Sequence, residues 1–167
     1  PDGFRFAIKG SRFCVMRSKL GEGAEGIGNF FAQGFACLGP KLGPILWQFA
    51  GRRKFDRDDI AAFIDLLPEQ VEGVSLRHAI EPRNESFRDE HFFDLCRARN
   101  IAIVFEDSND YPLIDADTAD FAYARLQRMN EDVATGYDDA ALDGGVYYLP
   151  TVLDGCAETS ALVRTST

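Results

Sequence analysis

A chain of 167 residues in which 46% are hydrophobic is one domain by default and has enough apolar content to build a core. Its formal net charge of −9 and pI of about 4.7 repel phosphate backbones and anionic lipids, which disfavours nucleic acid and membrane surfaces as partners. No apolar run approaches the roughly 20 residues that span a bilayer. Cys14, Cys37, Cys96 and Cys156 are scattered with no C-x-x-C spacing, which is the usage of reduced, mostly buried thiols in a cytosolic protein. The chain opens Pro1-Asp2-Gly3 without an initiator Met, so a targeting signal would lie upstream if the true N-terminus does.

In chain order, Phe4-Arg5-Phe6-Ala7-Ile8-Lys9 is rich in β-formers and stops at Gly10, which predicts a strand entering a turn. A glycine-rich stretch from Gly21 to Gly28 precedes a helical face through Ile27, Phe30, Phe31, Phe35 and Leu38, ended by Gly39-Pro40. Pro44 to Phe49 is nearly all apolar, as suits a strand covered on both faces of a parallel sheet. Asp56 is a natural N-cap, with Phe55 and Ile60 placed for a hydrophobic staple. Ile60, Phe63, Ile64 and Leu67 then repeat at helical spacing until Pro68.

Leu76 to Arg83 is a third predicted strand. Ser86 or Asp89 caps a helix carrying Phe92, Phe93 and Cys96, which Asn100 can close. Ile101 to Phe105 is a fourth, buried strand. A polar loop from Asp107 to Asp120 leads to the fifth, Phe121 to Leu126. Strands alternating with helices, each strand too apolar to be solvated on one face, predict a parallel α/β architecture. The pattern fades after about Thr135. One domain over residues 1–150 and an irregular or frayed tail over 151–167 are expected.

Four motifs resemble the YecE-like family, a bacterial domain of unknown function. They are Phe6 to Phe13 (FAIKGSRF), Leu42 to Phe49 (LGPILWQF), Arg77 to Phe87 (RHAIEPRNESF) and Thr118 to Leu126 (TADFAYARL). Their order and spacing match as well, over roughly residues 3 to 145. The resemblance implies a TIM-like (β/α) barrel, with these five strands equivalent to the third to seventh of eight. A complete barrel takes about 250 residues. The family's first two strands are therefore expected upstream of Pro1, and Val146 to Leu149 is the one candidate for an eighth. Inside the matched region the family usually has Val-Arg-His where this chain has Pro82-Arg83-Asn84. That change removes a histidine from any proton-transfer or metal-ligand role.

Barrel sites form at the C-terminal ends of the strands. Period-2 alternation puts a polar residue at each of these ends: Lys9, Gln48, Glu81 with Arg83, Asp107, and Arg125 beside Tyr123. Lys9, Arg83 and Arg125 against Glu81 and Asp107 leave the rim one charge positive on a strongly negative protein. A small anionic ligand, a carboxylate or phosphate held by the arginines, is the expected partner. Glu81 and Asp107 are the candidate general acid–base pair, and Lys9 is a candidate Schiff-base nucleophile or charge partner. Gln48, Ser11, Tyr123, Arg83 and Arg125 are the candidate substrate-binding residues. Gly10-Ser11-Arg12 could offer backbone N–H groups to a phosphate, although an ordinary strand-to-loop turn explains it as well.

No cofactor is expected, because the Walker and dinucleotide glycine spacings are absent. His78 lies on the face of Ile80, opposite Glu81, and His91 lies in a helix; neither joins a set of metal ligands. No G-x-S-x-G motif supports a serine triad. Trp47 and the phenylalanines fall at core periods rather than forming a base-stacking surface. The first expectation is thus a cytosolic barrel protein with a small-ligand pocket and an unknown reaction. The alternatives are a nucleic-acid-binding or nuclease-like barrel protein and an inactive truncated copy.

Overall fold

The computed structural model describes residues 4–129, 131–133, 136–137 and 161–162. Cys156, the candidate strand Val146 to Leu149 and most of the expected tail lie outside the described residues.

Five parallel strands form a curled half-barrel, with helices in the crossovers. They are β1 (Phe6–Lys9), β2 (Leu42–Gln48), β5 (His78–Glu81), β6 (Ala102–Asp107) and β7 (Tyr123–Leu126). The sheet order is β1-β2-β5-β6-β7-β8, where β8 (Ala161–Leu162) pairs antiparallel with β7. A separate antiparallel pair, β3 (Gln70–Val71) and β4 (Val74–Ser75), projects from the β2–β5 crossover. This partial TIM-like barrel is the architecture the apolar strands and their intervening helices imply.

The helices follow their local signals. In α3 (Arg57–Asp65) the Asp56 side chain accepts the Asp59 N–H at 3.2 Å, while Ile60, Phe63 and Ile64 turn into the core. In α4 (Glu90–Ala98) the cap is Asp89, whose carboxylate accepts the His91 N–H at 2.8 Å. Ser86 instead accepts the Phe55 N–H at 2.8 Å. Asn100 follows α4 with φ of 50°, the left-handed conformation that ends a helix. The glycine-rich stretch contains the start of α2 (Ala24–Phe31) and is followed by a 3-10 segment (Phe35–Lys41). A short α1 (Arg12–Val15) begins beside Ser11, whose hydroxyl accepts the Phe13 N–H at 3.3 Å.

The sheet has two packed faces. On the outer face Ile45, Trp47, Ile80 and Ile103 meet the helices through Phe30, Phe63 and Phe92. Trp47 is fully buried against the rings of Phe30 and Phe63, with centroids 5.3 and 5.7 Å away. Its indole N–H donates to His78 Nδ1 at 3.1 Å, and His78 Nε2 meets the Pro68 carbonyl at 2.8 Å. His78 is therefore a neutral Nε2–H tautomer, and burial pushes its pKa down. The inner face is a smaller cluster of Leu46, Ala79, Ala102, Val104, Phe121 and Tyr123. Small residues there let the sheet curl tightly around its interior.

Candidate functional site

Strand register decides which polar residues meet. Gln48 pairs with Glu81 across β2 and β5, and Glu106 pairs with Arg125 across β6 and β7. Glu81 continues the inner-face row of Ala79, Glu106 that of Ala102 and Val104, and Arg125 that of Tyr123. All therefore project to one side at the C-terminal end of the half-barrel. Arg83, two residues beyond β5's last residue, folds back over the same spot.

Glu81 is at the centre and is wholly buried. Gln48 Nε2 donates to its two oxygens at 2.9 and 3.0 Å, and Arg125 Nη1 does so at 2.9 and 2.8 Å. Arg83 Nε adds a 2.6 Å bond to Oε1. These N–H donors saturate both carboxylate oxygens.

Beside it Glu106 is 1% exposed. Its Oε1 lies 3.6 Å from both Arg83 Nη2 and Arg125 Nη1, beyond hydrogen-bond length, and its buried Oε2 has no partner among the described residues. Burial pushes the Glu106 pKa up to about 7, reinforced by the charge and hydrogen-bonding contact of Glu81; the arginines pull the other way. The two carboxyls between the two guanidiniums thus differ in kind: Glu81 is saturated by donors, and Glu106 is under-solvated and ready to hold a proton.

Both arginine side chains are largely covered, each 18% exposed. Arg83 lies over the Tyr111 ring, with Cζ 4.1 Å from the centroid. The Gln127 amide oxygen, in the orientation that satisfies its partners, accepts from Arg125 Nη1 and Nη2 at 3.2 and 3.0 Å. Tyr123 is buried on the same face, and desolvation raises its hydroxyl pKa to about 12.

The remaining candidates sit elsewhere. Asp107 faces the opposite side of β6 from Glu106, where it accepts from Arg128 and, at 2.8 Å, from the Tyr137 hydroxyl. The carboxyl partner of Glu81 is therefore Glu106, which the alternation in β6 hides because both faces of that strand are apolar. Counting Arg83 and Arg125 against Glu81 and Glu106 makes the cluster neutral when both are ionised, and one charge positive when Glu106 holds a proton. Lys9 is exposed on edge strand β1, level with Leu46 rather than Gln48. Ser11 caps α1, and the Gly10 N–H is already bonded to the Leu46 carbonyl at 2.8 Å.

Asn84 ties two loops together. Its amide donates to the Gly51 carbonyl at 2.8 Å and its oxygen accepts the Ser86 N–H at 3.1 Å. Pro82 follows the last residue of β5, where the sheet does not need its N–H. His91 is exposed on α4 beside Asp89. A cleft of about 350 Å³ opens at the other end of the sheet beside His78, Arg97 and Arg99, whose polar groups are already engaged by Pro68, Asp94 and Asp65. Among the described residues no three His, Cys, Asp or Glu side chains could hold a metal ion, and no helix is long and apolar enough to cross a membrane.

Comparison with known proteins agrees with this architecture. A DUF72 family protein from Thermotoga maritima superposes with a TM-score of 0.61 at 22% identity, over 78% of this chain and 52% of that one. A second DUF72 family protein, from Enterococcus faecalis, gives a TM-score of 0.48 at 19% identity, over 72% and 48% of the two chains. The chain spans about half the length of these solved relatives. No curated protein matches it. The family model described as "Protein of unknown function DUF72" matches residues 1–163, and the chain belongs to that family, the YecE-like proteins.

Proposed function

We propose that the C-terminal end of the half-barrel binds a small anion, a carboxylate or phosphate, against the partly exposed side chains of Arg83 and Arg125. The observation that carries this reading is the Glu81 cluster. Side chains from β2, β5, β6 and β7 converge around one buried carboxylate, and the two arginine side chains there remain partly exposed. Arg83 gives Nε to Glu81 and lies over the Tyr111 ring, while its Nη2 is 3.6 Å from Glu106, too long for a hydrogen bond. A planar guanidinium locked at the correct angle gives up little entropy on binding an oxyanion. Chemistry at such a site would be proton transfer by the carboxyl pair, Glu81 and Glu106, with Tyr123 beside them.

Calorimetric titration with sulfate and with inorganic phosphate tests the reading. Arg83→Gln is expected to weaken binding by about tenfold or more, the loss of one charge-assisted hydrogen-bonded contact. Arg99→Gln, at the opposite end of the sheet, is expected to leave it unchanged. Equal affinity in wild type and Arg83→Gln would overturn the proposal.

A further inference from the structure

Glu106 is the less tightly held of the two buried carboxyls. A buried carboxyl that served only as an ion-pair partner would close onto its arginines, yet both guanidinium contacts stop at 3.6 Å. The short bonds from Arg83, Arg125 and Gln48 all go to Glu81. Glu106 Oε2 is left buried and without a partner among the described residues, which is costly for an ionised oxygen and tolerable for a protonated one.

Every charged neighbour points to the same division of labour. From β5 come Glu81 and, just beyond it, Arg83; from β7 come Arg125 and the phenol of Tyr123; from β2 comes neutral Gln48, already committed to Glu81. Asp107, next in sequence, turns away to Arg128 and Tyr137.

We propose that Glu106 is the proton-holding residue of the anion site, protonated when the anion is bound. This rests on the anion-binding reading. An incoming negative charge disfavours ionised Glu106 and draws on the same guanidiniums that would otherwise offset it. Above neutral pH, where free Glu106 is partly ionised, the pair must take up a proton as the anion docks. The proton comes from solvent and forms the O–H bond of Glu106, no other covalent bond changes, and the ligand class is an oxyanion.

Sulfate is the probe, because it does not itself titrate near neutrality. Titrations in two buffers of different ionisation enthalpy are expected to show uptake of about half a proton per sulfate near pH 7.5, falling toward zero by pH 5.5. Glu106→Gln, whose amide does not titrate, is expected to abolish the uptake per sulfate bound. As a readout independent of any variant, carboxyl carbon NMR of the wild-type chain should show one glutamate titrating near pH 7. Sulfate binding without proton uptake would overturn the role of Glu106 and leave the anion site standing. Absence of sulfate binding would remove the anion site and this inference with it. The absence of any glutamate titrating between pH 6 and 8 would also overturn the inference.

Discussion

At the scale of single residues, Glu106 and His78 give stability opposite dependences on pH, because each is buried in its neutral form. Native Glu106 keeps its proton to about pH 7, whereas the unfolded chain releases it in the ordinary glutamate range. Between those limits the native state binds more protons, so this residue's contribution falls as pH rises. Glu106→Gln removes the effect. Its stability relative to wild type is expected to improve by about 2–3 kcal/mol between pH 4.5 and 8. Urea midpoints across that range would show it, and a constant difference would rule it out. His78 works the other way. The unfolded imidazole takes a proton near pH 6.5 while the native one resists, so stability drops as pH falls below about 6.5. Replacing His78 with Gln strands the Trp47 indole N–H unless the amide oxygen can reach it. The expected cost is about 1–3 kcal/mol at pH 8, with the deficit narrowing at pH 5.

At the scale of elements, the β3–β4 hairpin shows a local conflict that can be relieved. Its two turn residues both have positive φ, 50° at Glu72 and 77° at Gly73. Type I′ turns require this, and glutamate tolerates it poorly. Glu72→Asn is expected to stabilise the chain by about 0.5–1 kcal/mol, measured as a higher urea midpoint. An unchanged midpoint would mean that the turn relaxes without cost. The same hairpin is absent from the reading of the sequence, because Glu-Gly is a weak turn signal and two-residue strands carry no alternation. The five parallel strands were legible for the opposite reason: each is a dense apolar run between turn residues, and the helix caps Asp56 and Asp89 mark where the crossovers begin. Gln48, Glu81, Arg83 and Arg125 were legible as strand-end polar residues. Glu106 was not, because β6 is apolar on both faces and alternation alone does not say which face is inside. The register does: Ala79 lies beside Ala102, and Glu106 lies opposite Arg125. Small residues on the curled inner face were the sequence signal that would have chosen Glu106 over Asp107.

At the scale of the whole molecule, the question is whether the two faces of the sheet unfold together. The outer core is large and aromatic and surrounds Trp47; the inner cluster is small and rests on Val104, Tyr123 and their neighbours. Both are built from the same strands, so a residue on one face is one peptide away from a residue on the other. Loss of inner packing should therefore free the strands that hold Trp47. Val104→Ala removes buried volume from the inner face alone, at an expected cost of about 1–3 kcal/mol. If the sheet is a single cooperative unit, that cost shifts the Trp47 fluorescence transition and the far-UV circular dichroism transition in urea by the same amount. Should Val104→Ala move the circular dichroism and leave the Trp47 midpoint in place, the helix-covered face would be stable without its interior. The Glu81–Glu106 cluster, which stands on that interior, would then lose its rigid support before the core melts, and anion binding would fail at lower urea than Trp47 exposure. Coincident midpoints for sulfate release, fluorescence and circular dichroism are the expected result, because the strands that carry Glu81 and Glu106 also carry the core.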